Sequence, residues 1–396
     1  MDRSVLLIST YNAVRKPWNG VPFEFYNIIS QIENATIVAP PATGPDPATA
    51  SSPSGILKFA AQGLAGQARR AMGKGFAPQM AQAGLDAEYD LCLFMCQFTR
   101  ELTNIDQVRD WRARSKFAVA FVLETWSSQF EKRKADLRIL DQFDHVFVLN
   151  ASSAPELKRY TSTPVSFLPT AADSLAAIAP AGETVPMLPD RVIDFFSMGR
   201  RRAEVHDLLM EKSRTEGAFY IHDIWTGILA RDWAEARAGN ADMVRRSRYY
   251  IAWDPVAVSP TKDEIIGNER AISTRYFEGS AGGAVLLGSR PTCPEFDALF
   301  DWPDAVVEIA PEGTDLHEVL GRFEADPERV RAVREANITN ALRRHDWAFR
   351  WEEILGTAGL APSEAHVKRV DKMAHLADQI RIVSDRPSTY RVAAGE

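Results

Sequence analysis

Between residues 268 and 288 the chain reads NERAISTRYFEGSAGGAVLLG. Ser273 and Thr274 are helix-capping types, since a hydroxyl there can satisfy a free first-turn amide. Gly282-Gly283 ends the predicted helix, and Ala284–Leu287 follows at once as an apolar run fit for a strand buried on both faces. A helix leading straight into a fully buried strand is the repeating half of a parallel α/β sheet. The small residues Gly279, Ser280, Ala281, Gly282 and Gly283 predict that this helix lies close against its sheet.

The same alternation extends in both directions. Downstream, Val306–Ile309 reads as a strand, and Leu316–Ala325, Pro327–Arg344, Asp346–Ile354 and Ser363–Ile380 read as helices. Upstream lie strands at Val192–Phe196, Phe219–Ile221 and Tyr249–Ala252, with a helix at Glu204–Lys212. In the first half, strands are predicted at Val5–Ser9, Ala35–Ala39, Tyr89–Met95, Phe117–Leu123, His145–Leu149 and Val165–Leu168, separated after Tyr89 by charged helical stretches. Asn19-Gly20 reads as a turn before a helix ending at Ile32. Residues 174–190 (SLAAIAPAGETVPMLPD) carry three prolines and no amphipathic period, which predicts a linker. The expectation is α/β with two doubly wound Rossmann-like domains facing a cleft: 1–173, then 191–345, with the C-terminal helices of 346–396 folding back toward the first domain.

Composition narrows the class. The 396 residues, 45% apolar and 25% charged, exclude a disordered chain and a disulfide-dependent miniprotein. Forty-six Lys+Arg against 53 Asp+Glu give a net charge of −7, which argues against a nucleic-acid binder. Three cysteines cannot all pair, and Cys92 and Cys96 fall in an apolar run, so they read as buried thiols of a reducing compartment. The apolar start is too short for a signal segment and no stretch approaches the length of a membrane span, so a cytoplasmic protein is expected. Residues 56–72 form an amphipathic pattern with Lys58, Arg69 and Arg70, open to two readings: a surface helix, or a peripheral contact with an anionic membrane.

Ligands of open parallel sheets bind beyond the carboxyl ends of the strands. The loop after the first strand of the second domain is Ser197-Met198-Gly199-Arg200-Arg201-Arg202, where a glycine permits a sharp turn and guanidinium groups can hold phosphate. Arg275 stands at the start of the helix in 268–288, which with its free amides is a ready diphosphate site. Glu278 lies one turn further on, on the same face as Thr274. In the first domain Glu124 ends the apolar strand FVLE, in the position of a general base or of an ordinary ion-pair partner. Asn19 and Gly20 offer a further acceptor or phosphate loop, and His222 a strand-end residue for a base pocket. No G-x-G-x-x-G, P-loop, metal-ligand spacing or G-x-S-x-G elbow is found, so no metal, nicotinamide or nucleophilic serine is expected.

The stretches ISTRYFEGSAGGAVLLG (272–288), FDWPDAVVEI (300–309) and ALRRHDWAFRWEEIL (341–355) together resemble the carboxy-terminal domain of group-1 glycosyltransferases of the GT-B fold, with the spore-maturation-protein-like branch nearest. WNGVPFEFYNIISQI (18–32) and FLPTAAD (167–173) are similar to the first domain and its end. The resemblance implies a nucleotide-sugar donor on the second domain and a glycan or lipid-linked acceptor, with no cofactor and no metal. It matches Glu278 to the second residue of the family's glutamate pair, which holds ribose hydroxyls. Ser273, Thr274 and Arg275 match the diphosphate end of the helix, and Gly199-Arg200 the glycine-arginine pair, with Arg201 beside it. Eight residues before Glu278 this chain has Arg270, flanked by Glu269, a departure from the pair. Glu124 is implied as the catalytic residue. A nucleotide-sugar epimerase of the same fold and a non-catalytic nucleotide-sugar binder are the alternatives.

Overall fold

A computed structural model describes residues 3–12, 19–40, 85–179, 191–199, 201–222, 232–254, 267 and 269–380. The chain divides into two compact units. Unit 1 comprises residues 1–168, 228–236 and 352–365; unit 2 comprises residues 169–227, 237–351 and 366–396.

Unit 1 is built on a six-stranded, all-parallel sheet in the order β2-β1-β3-β4-β5-β6. Its strands are β1 (Ser4–Ser9), β2 (Asn34–Val38), β3 (Tyr89–Phe98), β4 (Ser115–Glu124), β5 (His145–Val148) and β6 (Val165–Phe167). Each coincides with an apolar run because a parallel sheet covered on both faces needs apolar side chains in both directions. One face is Leu6, Ile8, Cys92, Phe94, Cys96, Ala120 and Val122 with their neighbours, all buried in one core. Burial pushes the Cys92 thiol up to about 12, so it packs as an inert apolar group.

Unit 2 holds a five-stranded parallel sheet, β11-β10-β9-β7-β8. Its strands are β7 (Ile193–Ser197), β8 (Tyr220–His222), β9 (Ser247–Ala252), β10 (Val285–Gly288) and β11 (Val307–Glu308). The period of two divides it into two cores. Tyr250, Ala252 and Leu286 face one layer of helices, while Tyr249, Ile251, Val285 and Leu287 face the other. The helix Thr274–Ala281 packs directly on this sheet, and a Cβ at Gly279 would overlap Leu286 and Tyr250.

Several expectations change. The Asn19-Gly20 turn is already the head of the helix Gly20–Ile32, with Asn19 at its cap position and Pro22 in its first turn, where a missing amide costs nothing. After β3 and β4 the expected helical stretches are short 3₁₀ and α turns, since Thr99, Thr103, Asn104 and Asp106 favour local side-chain bonds over a continuous helix. The first five linker residues form the helix Ser174–Ile178, capped by Asp173, in unit 2; residues 180–190 lie outside the described residues. The first domain was expected to run to residue 173, but unit 1 ends at Leu168 before the chain passes to unit 2. Of the C-terminal stretch expected to fold back toward the first domain, residues 352–365 belong to unit 1, whereas Met373, Leu376, Ala377 and Ile380 of the helix Glu364–Gln379 and its end are buried in the core of unit 2. The helices Trp233–Arg245 and Pro294–Leu299 were not anticipated.

Candidate functional site

Each sheet reverses its winding once, between β1 and β3 in unit 1 and between β7 and β9 in unit 2. Such reversal points open a crevice at the carboxyl ends of the strands. The sequence-predicted residues that the structure describes fall at these two edges.

In unit 2, β7 runs out into Ser197, Met198 and Gly199. Gly199 has φ +76°, a conformation that a side chain disfavours. Arg275 lies across this turn: its Nε donates to the Met198 carbonyl at 2.8 Å, and a Cβ on Gly199 would stand 2.5 Å from Nη2. The glycine is therefore required twice, by its own torsion and by the guanidinium above it. Ser273 caps the helix, accepting from the Arg275 amide at 3.5 Å, and Thr274 Oγ1 donates to Thr170 Oγ1 at 3.3 Å. One turn on, Glu278 accepts from Arg237 Nη1 at 2.7 Å and from the Tyr250 hydroxyl at 3.3 Å. The Tyr250 phenol is raised well above its usual range by burial and then by the Glu278 carboxylate, with Arg275 and Arg237 opposing.

Gly199, Ser273, Thr274, Arg275 and Glu278 are thus brought together on one turn and one helix. Arg200 lies outside the described residues. Arg202 is committed elsewhere, donating to the Pro311 carbonyl and pairing with Glu204 and Glu312. His222 ends β8 with its ring 4.8 Å from that of His206 and 5.0 Å from Tyr220. The His206 imidazole binds the Tyr220 hydroxyl at 2.9 Å. Its pKa is lowered by burial and further by Arg201 and His222, which places Arg201 in the electrostatic surroundings of the pair. Arg270 turns to Asp254 at 3.5 Å.

In unit 1, Glu124 is the last residue of β4. Gln97 Nε2 donates to its Oε1 at 3.1 Å and Trp126 Nε1 to its Oε2 at 3.3 Å. Beside it is a second carboxylate, Glu101. Its Oε2 accepts from the Gln97 amide at 3.1 Å and from the Thr10 hydroxyl at 3.0 Å. Burial raises the Glu101 carboxyl above its usual range against the pull of these donors. A carboxyl raised in the fold stabilises it below the unfolded value and loses that contribution as pH rises through the folded value. Glu101→Gln is accordingly expected to melt above the wild type at pH 7, with the difference closing toward pH 4; a melting-temperature series against pH checks this. Asn19 and Gly20 sit at the head of the helix Gly20–Ile32 in the same unit, and both are buried.

Arg237, Tyr250, Gln97 and Glu101 were missed by sequence reasoning. Arg237 stands on a helix whose apolar positions are sparse, and Glu101 follows an apolar strand by three residues in an unremarked turn. The strand-end position of Gln97 was the one signal available. Among the described residues there is no cluster of three metal-ligating side chains, and no helix is long and apolar enough to cross a membrane. Residues 56–72 lie outside the described residues.

Comparison with known proteins bears on this arrangement. Residues 217–356 match the family model described as "Glycosyl transferase-like". No curated protein sequence matches. Among solved structures, the chain is similar to an alpha-glucosyltransferase in complex with UDP and a 13-mer DNA, at 10% identity over 91% of this chain and 100% of that one, with a TM-score of 0.52. A sucrose-phosphate synthase from Thermosynechococcus elongatus aligns at 11% identity over 89% of this chain and 97% of that one, TM-score 0.49. An α,α-trehalose-phosphate synthase (UDP-forming) from Burkholderia vietnamiensis aligns at 12% identity over 90% and 99%, TM-score 0.48. The fold is GT-B: two Rossmann-like parallel α/β units, as in the first of these. The glycosyl transferase-like segment spans the Glu278 helix.

Proposed function

We propose that the chain moves a sugar from a nucleoside-diphosphate donor, bound by unit 2, to an acceptor hydroxyl presented at the carboxyl edge of unit 1, without a metal or cofactor. The reading keeps the spore-maturation-protein-like branch as its place within the fold. The observation that carries it is Arg275, laid over the Gly199 turn at the head of a capped helix, with Glu278 one turn behind. Guanidinium and helix-end amides supply positive charge where a diphosphate leaves, the task a metal performs in other transferases. Each oxygen of Glu278 retains a lone pair beyond its bond to Arg237 or Tyr250, enough to accept from ribose hydroxyls. Gly199, Ser273 and Thr274 shape the phosphate end, Arg200 and Arg201 add charge, and His222 belongs to the base side. Glu124 takes the acceptor proton if configuration inverts, or orients the hydroxyl if it is retained.

The test is a thermal-shift and calorimetry panel of UDP, GDP, TDP and CMP with their sugars. One nucleotide diphosphate is expected to bind clearly best, and no stabilisation by any of them would overturn the assignment. Glu278→Ala is expected to weaken that nucleotide about 10- to 100-fold, or about 1.4–2.8 kcal/mol. Because the substitution also strands Arg237, affinity is to be compared with Glu278→Gln, which keeps a carbonyl oxygen for Arg237. Unchanged affinity in both variants would remove Glu278 from the site. Donor incubated alone, with products followed by NMR, separates transfer from epimerisation.

A further inference from the structure

The donor chemistry leaves unused a polar cluster at the carboxyl edge of unit 1, across β1, β3 and β4. Gln97 joins its two carboxylates. The backbone amide of Gln97 holds Glu101 and its side-chain amide holds Glu124. Thr10, just past β1, holds Glu101 from the other side of the winding reversal. Two further atoms are buried there with no hydrogen-bond partner: Gln97 Oε1, on the same amide that binds Glu124, and Ser9 Oγ at the end of β1. Gln97 is 8% exposed and Ser9 1%. Among the described residues, Arg100 is a cation that acts on Glu101, and its guanidinium lies 3.9 Å over the Phe98 ring.

We propose that this cluster is the acceptor site, that Glu101 acts there as a second acceptor-binding carboxylate beside Glu124, and that it selects a hydroxyl-rich acceptor carrying no phosphate or carboxylate near the bound ring. Acceptor atoms outnumber donors in the cluster. A buried amide oxygen without a donor is costly, and a ligand hydroxyl that reaches it removes the cost. Two carboxylates on adjacent strand ends set a negative field that a sugar hydroxyl tolerates and an anion does not. The same field opposes a nucleic-acid acceptor, whose phosphates would flank the reacting group.

The inference rests on the transfer reading, so its test keeps the two apart. The full chain, with and without UDP, is titrated with methyl glucoside, glucuronate and glucose 6-phosphate, three probes that share a ring and differ in charge, and binding is read by saturation-transfer NMR. UDP affinity is measured by calorimetry on the same samples. Methyl glucoside is expected to bind at least about tenfold better than either anion, and Glu101→Gln to narrow that ratio while leaving UDP affinity unchanged. Equal binding of the three probes, preference for an anion, or binding of none overturns the proposal, as does a ratio unchanged in Glu101→Gln. The wild-type comparison decides even if that variant does not fold. Discrimination among the sugars, with none of the nucleotides of the thermal-shift panel bound, would uphold this site and overturn the donor assignment alone.

Discussion

Arg369→Met is expected to destabilise unit 2 by about 3–5 kcal/mol, the cost of leaving a buried carboxylate without its cation. Asp346 is fully buried. Arg369 grips it with two bonds, Nε to Oδ1 at 3.0 Å and Nη2 to Oδ2 at 2.8 Å, and reaches Asp173 Oδ1 at 2.8 Å with the same nitrogen. Asp346 also accepts from the amides of Ser174 and Ala348, each at 2.9 Å. Burial alone would weaken the hold of Arg369 on its proton; Asp346 and then Asp173 more than reverse this. The two carboxylates therefore depend on one guanidinium.

Their positions in the chain explain why so much is invested there. The chain changes unit five times, and three of these passages come after residues 168, 351 and 365. Asp173, Asp346 and Arg369 lie within six residues of those passages, all inside unit 2, so one buried ion cluster ties down the three segments that border them. Arg350 adds bonds to the carbonyls of Pro169 and Thr170, and Ala172 pairs with Asp346 as an isolated parallel bridge. At about 2–4 °C per kcal/mol for a unit of this size, the variant should lower the melting temperature of unit 2 by roughly 6–20 °C. Arg369→Met with Asp346→Asn removes both charges and is expected to recover part of the loss. Calorimetry resolves the transitions of the two units; an unmoved transition for unit 2 would show that the cluster is not holding it.

The strands were legible because a parallel strand covered on both faces must be apolar throughout, and such runs as Leu91–Cys96 and Val285–Leu287 have no other plausible place. The helix Thr274–Ala281 was legible through its cap at Ser273 and its glycine end. What escaped depended on distance in sequence. Arg237 meets Glu278 from 41 residues away and Thr10 meets Glu101 from 91; neither partner carries a local pattern. The Asp173–Asp346–Arg369 cluster is of the same kind, since a charged residue in a helical pattern reads as solvated until the fold buries it. The apparent linker was misread for a related reason: Leu175, Ala177 and Ile178 are too few to make a period, yet they pack on the core of unit 2 once Asp173 caps them.

Glu124→Gln is expected to lower turnover about 10²- to 10⁴-fold, the usual worth of a positioned acid or base. The substitution is nearly isosteric, so its structural cost should be small. The amide keeps an oxygen to accept from Gln97 Nε2 or Trp126 Nε1, although one of the two donors then meets an NH₂ group. Donor affinity should stay within a factor of about 2, because every residue assigned to the nucleotide lies in unit 2. The division between the two constants is the informative quantity. A fall in turnover with unchanged nucleotide affinity places Glu124 on the acceptor proton, whereas a parallel fall in both would mean that the substitution disturbs the unit as a whole. Wild-type turnover would leave Glu101 as the remaining carboxylate of that edge able to take the proton. The pH–rate profile then tells the two apart. Burial raises the Glu101 carboxyl, so a reaction that relied on it as the base would gain its activity at a higher pH than an ordinary exposed glutamate would set.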